Sequence, residues 1–158
     1  MAGGVDIGAM APGQGPAVAA LLRAAFDGPA EADLVARLRA AGDMALELVA
    51  AGPDGVAGYL ALSRMQAPAG WLALAPVAVA PDRQRRGIGA ALVRAGLARL
   101  PGRFVVVLGD PAYYGRLGFS RDRARRLTSP YPLSHMLLAG PGRQAPEAAL
   151  AYPPAFDG

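Results

Sequence analysis

The sequence predicts one α/β (α+β) domain, a single mixed sheet with helices on its faces. Three observations predict it. The length, 158 residues, is that of one ordinary domain. A chain of this size buries roughly 70% of its unfolded surface, enough for a core without staples. Apolar periodicity alternates between the helical and the strand kind, in the order β-α-α-β-β-β-α-β-α-β. One stretch, Phe104-Val-Val-Val-Leu108, is continuously apolar, as in a strand covered on both faces. Residues 1–158 read as one domain, with the motifs between about 5 and 140 and a docked tail over 141–158.

Val5 to Met10 is a short first strand. Pro16 to Phe26 is a helix with Val18, Leu21, Leu22 and Phe26 on one face. Asp27-Gly-Pro-Ala30 breaks it, and Glu31 to Ala41 is a second helix, apolar at Leu34, Val35 and Leu38 and closed near Gly42. Ala45–Ala51 and Val56–Met65 form a hairpin about Pro53-Asp-Gly55. Trp71–Val79 is the next strand; its Pro76 cannot donate to a ladder and marks a bulge or an edge. Ile88 to Leu100 is a helix with Ile88, Leu92, Ala95 and Leu100 inward. Arg103–Leu108 is a strand, Ala112–Leu117 a short helix, Phe119 opens a further extended region, and His135–Ala139 is a last strand. The tail after Gly140 is rich in Pro, Gly and Ala, and Tyr152 and Phe156 give it apolar handles for docking.

Composition excludes several chemistries. Alanine fills 36 positions, so the core must come from a modest set of Leu, Val and Ile. There is no cysteine, hence no disulfide framework, Cys-ligated zinc or thiol nucleophile. A lone His135 leaves no His-rich site, and no metal is expected. All 16 basic residues are arginines against 12 acidic ones, a net charge of +4, so Schiff-base and Walker-type lysines are excluded. Mild basicity suits an anionic small ligand, although a GC-rich genome accounts for most of the Arg and Ala content. No apolar run approaches the ~20 residues of a membrane span. Met1 to Asp6 lacks the charged and apolar regions of a signal peptide. The expectation is a soluble bacterial cytoplasmic protein with no membrane partner.

The densest signal is Val77-Ala-Val79-Ala-Pro81-Asp-Arg-Gln84-Arg-Arg-Gly87-Ile-Gly89-Ala90. A strand ends, a polar loop follows, and a helix opens on two glycines one residue apart. Unpaired N–H groups and the partial positive charge of a helix N-terminus suit a phosphate. Glycines let backbone approach it, and Arg83, Arg85 and Arg86 add mobile positive charge. The third glycine of a dinucleotide fingerprint and the Gly-Lys-Ser/Thr of a P-loop are both missing. From the loop alone, a diphosphate cradle and a plain tight turn stand about even.

Gln84-x-x-Gly87-x-Gly89 after a Val-x-Val strand resembles the acetyl-coenzyme A motif of the GNAT family of N-acetyltransferases. Gly109-Asp-Pro-Ala-Tyr-Tyr114-Gly-Arg-Leu-Gly-Phe119 resembles a later segment of that family. The wording of this segment and of the tail is similar to a branch of bacterial acetyltransferases of unassigned substrate. The resemblance implies a mixed sheet whose central strands splay to form the cofactor slot, with Pro76 at the bulge that opens it. It implies acetyl transfer from acetyl-CoA to a primary amine of a small molecule or peptide by direct attack. Val77, Ala78 and Val79 would offer main-chain groups to the pantetheine arm, with the Val77 N–H as oxyanion donor. Gln84, Arg85, Arg86, Gly87, Ile88, Gly89 and Ala90 would form the pyrophosphate loop. Tyr114 would protonate the leaving thiolate, and Asp110 would stand where many relatives have a cofactor-touching asparagine. A homodimer is left open.

Two departures stand out. Many relatives carry a Glu or Asp on the central strand as general base, and residues 71–79 have none, so the base lies elsewhere, acts through water or is absent. Asp110 puts a carboxylate beside an anionic cofactor. Tyr113 is expected to pack under Phe119. His135 is expected as a strand-end residue rather than a base. Asp27, Glu31 and Asp33 either cap the second helix and pair with its dipole or hold an amine. Arg121, Arg123, Arg125 and Arg126 form a run that is solvated, or binds an acidic acceptor or RNA phosphate. Against a nucleic-acid binder, the basic segments lack interleaved aromatics for stacking. A non-catalytic acyl-CoA-binding domain of the same fold is the other alternative.

Overall fold

The computed structural model describes residues 4–157; the first three residues of the N-terminal segment and Gly158 lie outside it. The elements run β1 (Asp6–Ala9), α1 (Gly15–Phe26), α2 (Ala30–Ala41), β2 (Met44–Gly52), β3 (Gly55–Arg64), β4 (Leu72–Val79), α3 (Ile88–Arg99), β5 (Val105–Leu108), α4 (Pro111–Gly115), β6 (Leu127–Thr128), β7 (Met136–Ala139) and β8 (Ala148–Ala149). The main sheet has the order β1-β2-β3-β4-β5-β7. Its pairs are antiparallel except β4 with β5.

Alternation along the strands sends side chains to two covered faces. One face packs α3 through Ile88, Leu92 and Val93 onto Leu60, Leu62, Leu72 and Leu74. The other is divided. Over β2–β4 it carries α1 and α2, through Val18, Leu21, Leu22 and Val35, onto Tyr59, Ala61 and Ala78. Over β4, β5 and β7 it carries the chain after Phe119, including Leu127, Leu150, Tyr152 and Phe156. At the α2 edge of this face Glu47 accepts from Tyr59 Oη at 2.5 Å and Arg39 Nε at 2.8 Å.

Pro76 sits at a bulge on a central strand, not at an edge. Leu60 pairs with Val77 but Leu62 with Leu74, so two steps on β3 span three on β4. The extra residue flips the parity of β4. Leu72 and Leu74 before it and Val77 and Val79 after it all point toward the α3 face.

Three expectations are corrected or narrowed. Phe26 is not on the buried face of α1; it is 40% exposed, because the helix ends there on Asp27 in the left-handed region (φ 52°). The extended region that Phe119 opens is short: Phe119 is buried, and only Ser120 bridges to Leu138 before the chain turns. The arginine run is exposed at Arg121, Arg125 and Arg126, but Arg123 is not solvated. Arg123 donates to the carbonyls of Gly140, Pro141 and Gln144 at 2.8–3.0 Å and lies 6.0 Å from the Phe104 ring centre. Arg126 pairs with Glu147 and Arg125 with Asp122.

Three charge-assisted bonds on otherwise unpaired carbonyls make Arg123 a fastener of the tail. Arg123→Ala is expected to lower unfolding free energy by about 2–3 kcal/mol, one such bond being worth up to ~3 and partial exposure discounting the set. Urea denaturation measures it, and limited proteolysis should cut after Gly140 in the variant first.

Candidate active site

β4 and β5 pair only at their beginnings, Leu72 with Val105 and Ala73 with Val106. Beyond Ala73 the two parallel strands part, and among the described residues no strand pairs with the second half of β4 on that side. Leu108, the last residue of an apolar run expected to be buried on both faces, is 43% exposed because its neighbour has left.

The main chain of β4 is directed into this wedge. Ala80 N–H bonds the Ala57 carbonyl at 2.8 Å, and the register places Tyr59 opposite Ala78. In an antiparallel pair the bonding alternates, so the N–H and C=O of Ala78 belong to β3 while those of Val77 and Val79 turn the other way. Ala78 is therefore not a cofactor contact: its backbone is used by β3 and its methyl is buried against α1 and α2.

At the mouth of the wedge stands the N-terminus of α3. Gly87 is its N-cap at φ 82°, and no side chain caps the helix. Its carbonyl takes the Ala91 N–H at 3.0 Å, as the helix requires, leaving the N–H groups of the first turn open. Arg85 also lies in the left-handed region at φ 66°. A non-glycine residue there stores about 1–3 kcal/mol of strain, a cost tolerated where the backbone must face a ligand. The concavity so formed has a volume of about 150 Å³ and is lined by Val79, Arg83, Arg85, Gly87, Gly89, Ala90 and Tyr113, together with Gln84 and Ile88.

Several side chains differ from expectation. The Gln84 amide donates to the Val79 carbonyl at 3.2 Å and ties the loop to the strand end. Arg83 is not free positive charge, since it pairs with Asp54 at 3.0 Å. Arg86 is exposed and does not line the concavity. Tyr113 is not packing under Phe119. It is 39% exposed, and its hydroxyl lies 2.9 Å from where a Cβ on Gly89 would stand.

Tyr114 is the packed member of the pair, its ring edge-on to Phe119 at 5.7 Å and to Tyr113 at 5.0 Å. Burial, with Tyr113 adding to it, pushes the Tyr114 phenol up to about 12. Asp110 spends a carboxylate oxygen on the Ala112 N–H at 3.0 Å, capping α4 and so holding the tyrosine pair in place.

Sequence reasoning missed the seat of Tyr114. A Cβ on Gly109 would overlap the Tyr114 ring, at 2.8 Å from Cδ2 and closer still to Cε2. Glycine is needed here for contact, not for backbone freedom. Gly109→Ala should therefore displace the ring and lower kcat severalfold or more, with the melting temperature falling only slightly, since a surface loop can yield. Steady-state kinetics beside a thermal melt separates the two effects.

His135 is exposed, its ring near Ser134 Oγ, and its carbonyl receives the Gly109 N–H at 2.9 Å. Asp27 closes α1, and Glu31 and Asp33 lie in the first turn of α2 without capping it through a side chain. None of these residues lines the wedge.

The profile of the acetyltransferase (GNAT) domain matches residues 45–121. YhbS of Escherichia coli K12, described as an uncharacterized N-acetyltransferase, is 41% identical over 116 residues, 68% of this chain and 69% of that protein. The chain belongs to the GNAT family of N-acetyltransferases. The crystal structure of YhbS in complex with CoA matches with a TM-score of 0.87 at 33% identity, over 98% of this chain and 92% of that one. A GNAT acetyltransferase of Brucella melitensis in complex with acetyl-CoA matches with a TM-score of 0.83 at 34% identity, over 97% and 98%. Among the described residues, no group of three or more His, Cys, Asp and Glu could hold a metal, and no helix is long and apolar enough to cross a membrane.

Proposed function

We propose that this GNAT acetyltransferase moves acetyl from acetyl-CoA to a primary amine by direct attack, in a bacterial cytoplasm. The observation that carries it is the wedge: two main-chain positions face an opening whose mouth is an uncapped helix N-terminus. Both features fit coenzyme A, an extended amide-bearing arm ending in a diphosphate.

The first-turn N–H groups of α3, with Arg85, hold the pyrophosphate. The Val79 main chain pairs with the arm as with an added strand. The co-substrate supplies an activated thioester, and with no cysteine in the chain the amine itself attacks it. The Val77 N–H donates to the thioester carbonyl oxygen as it gains negative charge; one such donor is worth about 3–4 kcal/mol. Tyr114 donates its hydroxyl hydrogen toward the departing sulfur. Asp110 acts through α4 rather than on the cofactor.

A thiol-release assay over a panel of amines, run beside a thermal-shift titration with coenzyme A, tests this. A stabilising shift with amine-dependent thiol release is expected. A shift without thiol release from any amine would leave a binding domain instead.

A further inference from the structure

Behind the wedge, on the face away from α3, lies a second cavity of about 90 Å³. It is lined by residues 73–75 of β4, residues 106–108 of β5 and the rings of Tyr131, Tyr152 and Phe156. The rings form one cluster: Tyr131 stands edge-on to Tyr152 at 4.9 Å, and Tyr152 lies 5.3 Å from Phe156. Tyr152 and Phe156 come from the tail, which is held from two sides. Arg37 of α2 donates to the Ala155 carbonyl at 3.2 Å, and Ala151 bridges Ala67.

We infer that this cavity is the acceptor subsite, and that its aromatic wall selects a small primary amine with an alkyl or aryl body. Its lining includes residues of both strands beyond their last pairing, where β4 and β5 part, which puts an amine seated there beside the position assigned to the thioester; the assignment rests on the acetyltransferase function above. Its only polar side-chain groups are the phenols of Tyr131 and Tyr152. No carboxylate lines it to pair with the several ammonium groups of a polyamine, and no arginine lines it to hold an acidic acceptor. Its small size excludes a bulky polar body.

The same chemistry bears on the missing strand carboxylate. Apolar walls disfavour an ammonium and favour the neutral amine, which is the nucleophile. The proton then leaves to water rather than to a fixed base. Burial raises the Tyr131 phenol and the exposed Asp157 adds to it, so a negative charge stands outside the cavity on its Tyr131 side. It can draw an ammonium toward the opening without following it in.

The test uses the full chain with acetyl-CoA and butylamine, benzylamine, spermidine and an Nα-acetyl-lysine amide. Butylamine or benzylamine should show at least about tenfold higher kcat/KM than the other two. Phe156→Ala should raise KM for the better amine by about tenfold, as loss of an apolar wall predicts. Ala75→Leu fills the cavity from the strand and leaves the tail untouched, so it should do the same even if the tail variant misfolds. Both variants should keep the thermal shift with coenzyme A. Preference for spermidine or the lysine amide, or a KM indifferent to both substitutions, overturns the proposal. If no amine is turned over, calorimetry of benzylamine on the coenzyme A complex decides: binding lost in Ala75→Leu supports the subsite, and no binding overturns it. Absence of any shift with coenzyme A in the parent would sink the acetyltransferase function itself, and the subsite with it.

Discussion

Tyr114→Phe is expected to lower kcat about a hundredfold while the affinity for acetyl-CoA stays within about twofold. The ring is the structural part of this residue: it fills the space over Gly109 and packs edge-on to Phe119. Phenylalanine keeps that ring and removes only the hydroxyl. A thiol has an ordinary pKa of about 8.5, so its thiolate leaves tolerably unaided, which sets the effect at the low end of general-acid catalysis. Burial sharpens the chemistry. With the phenol pushed up to about 12, full proton transfer to a thiolate is uphill, and the gain is a hydrogen bond that strengthens as charge develops on sulfur. Raised so far by burial, the phenol stays protonated through pH 9 to 10 and adds no alkaline limb to the kcat profile there.

The comparison with Tyr113→Phe makes the assignment discriminating. Sequence alone expects Tyr113 to affect stability. The structure puts its hydroxyl over Gly89, at the cradle, so its loss should raise KM for acetyl-CoA and leave the melting temperature nearly unchanged. Full kcat in Tyr114→Phe with loss in Tyr113→Phe would exchange the two roles. Loss in neither would mean that sulfur departs without a protein donor.

The strand–loop–helix junction that frames the concavity was legible in the sequence because its signal is local. A strand, a polar loop and two glycines at a helix start lie within fourteen consecutive residues, Val77 to Ala90. Pro76 was legible for the same reason, since a missing N–H on a strand has few structural outcomes. The wedge was not legible from residue pattern, because it is a property of two strands far apart in the chain. Phe104–Leu108 reads as a strand buried throughout, and only the departure of β4 exposes Leu108. The fastening role of Arg123 is equally illegible in the sequence. Arg123 is indistinguishable in sequence from its solvated neighbours, and its partners are carbonyls 17 to 21 residues away. The tyrosine pair could not be ordered by physics from the sequence. Adjacent residues on a single helical turn point to different neighbours, and only the fold says which neighbour is Gly89 and which is Gly109.

Gly89→Val is expected to abolish coenzyme A binding without unfolding the protein. Gly89 lies in the first turn of α3, where its N–H has no helical partner. A Cβ there would meet the Tyr113 hydroxyl at 2.9 Å and the Val79 side chain at 3.6 Å, and valine adds two further methyls over the same N–H groups. The substitution fills the space in which a phosphate must approach the backbone. Its cost to the fold is small, because valine has a somewhat better helix propensity than glycine and Tyr113, 39% exposed, can swing aside. For the parent, ligand at about a hundred times its dissociation constant adds roughly 2.7 kcal/mol. At roughly 2–4 °C per kcal/mol for a chain of this size, the melting temperature should rise by roughly 5–10 °C. In the variant the unliganded melting temperature should stay within a few degrees of the parent, and the ligand-dependent rise should fall below about 2 °C, as a hundredfold weaker complex requires. A variant that keeps the full rise would place the pyrophosphate away from the α3 N-terminus. A parent that shows no rise at millimolar coenzyme A would remove the cofactor from this site altogether.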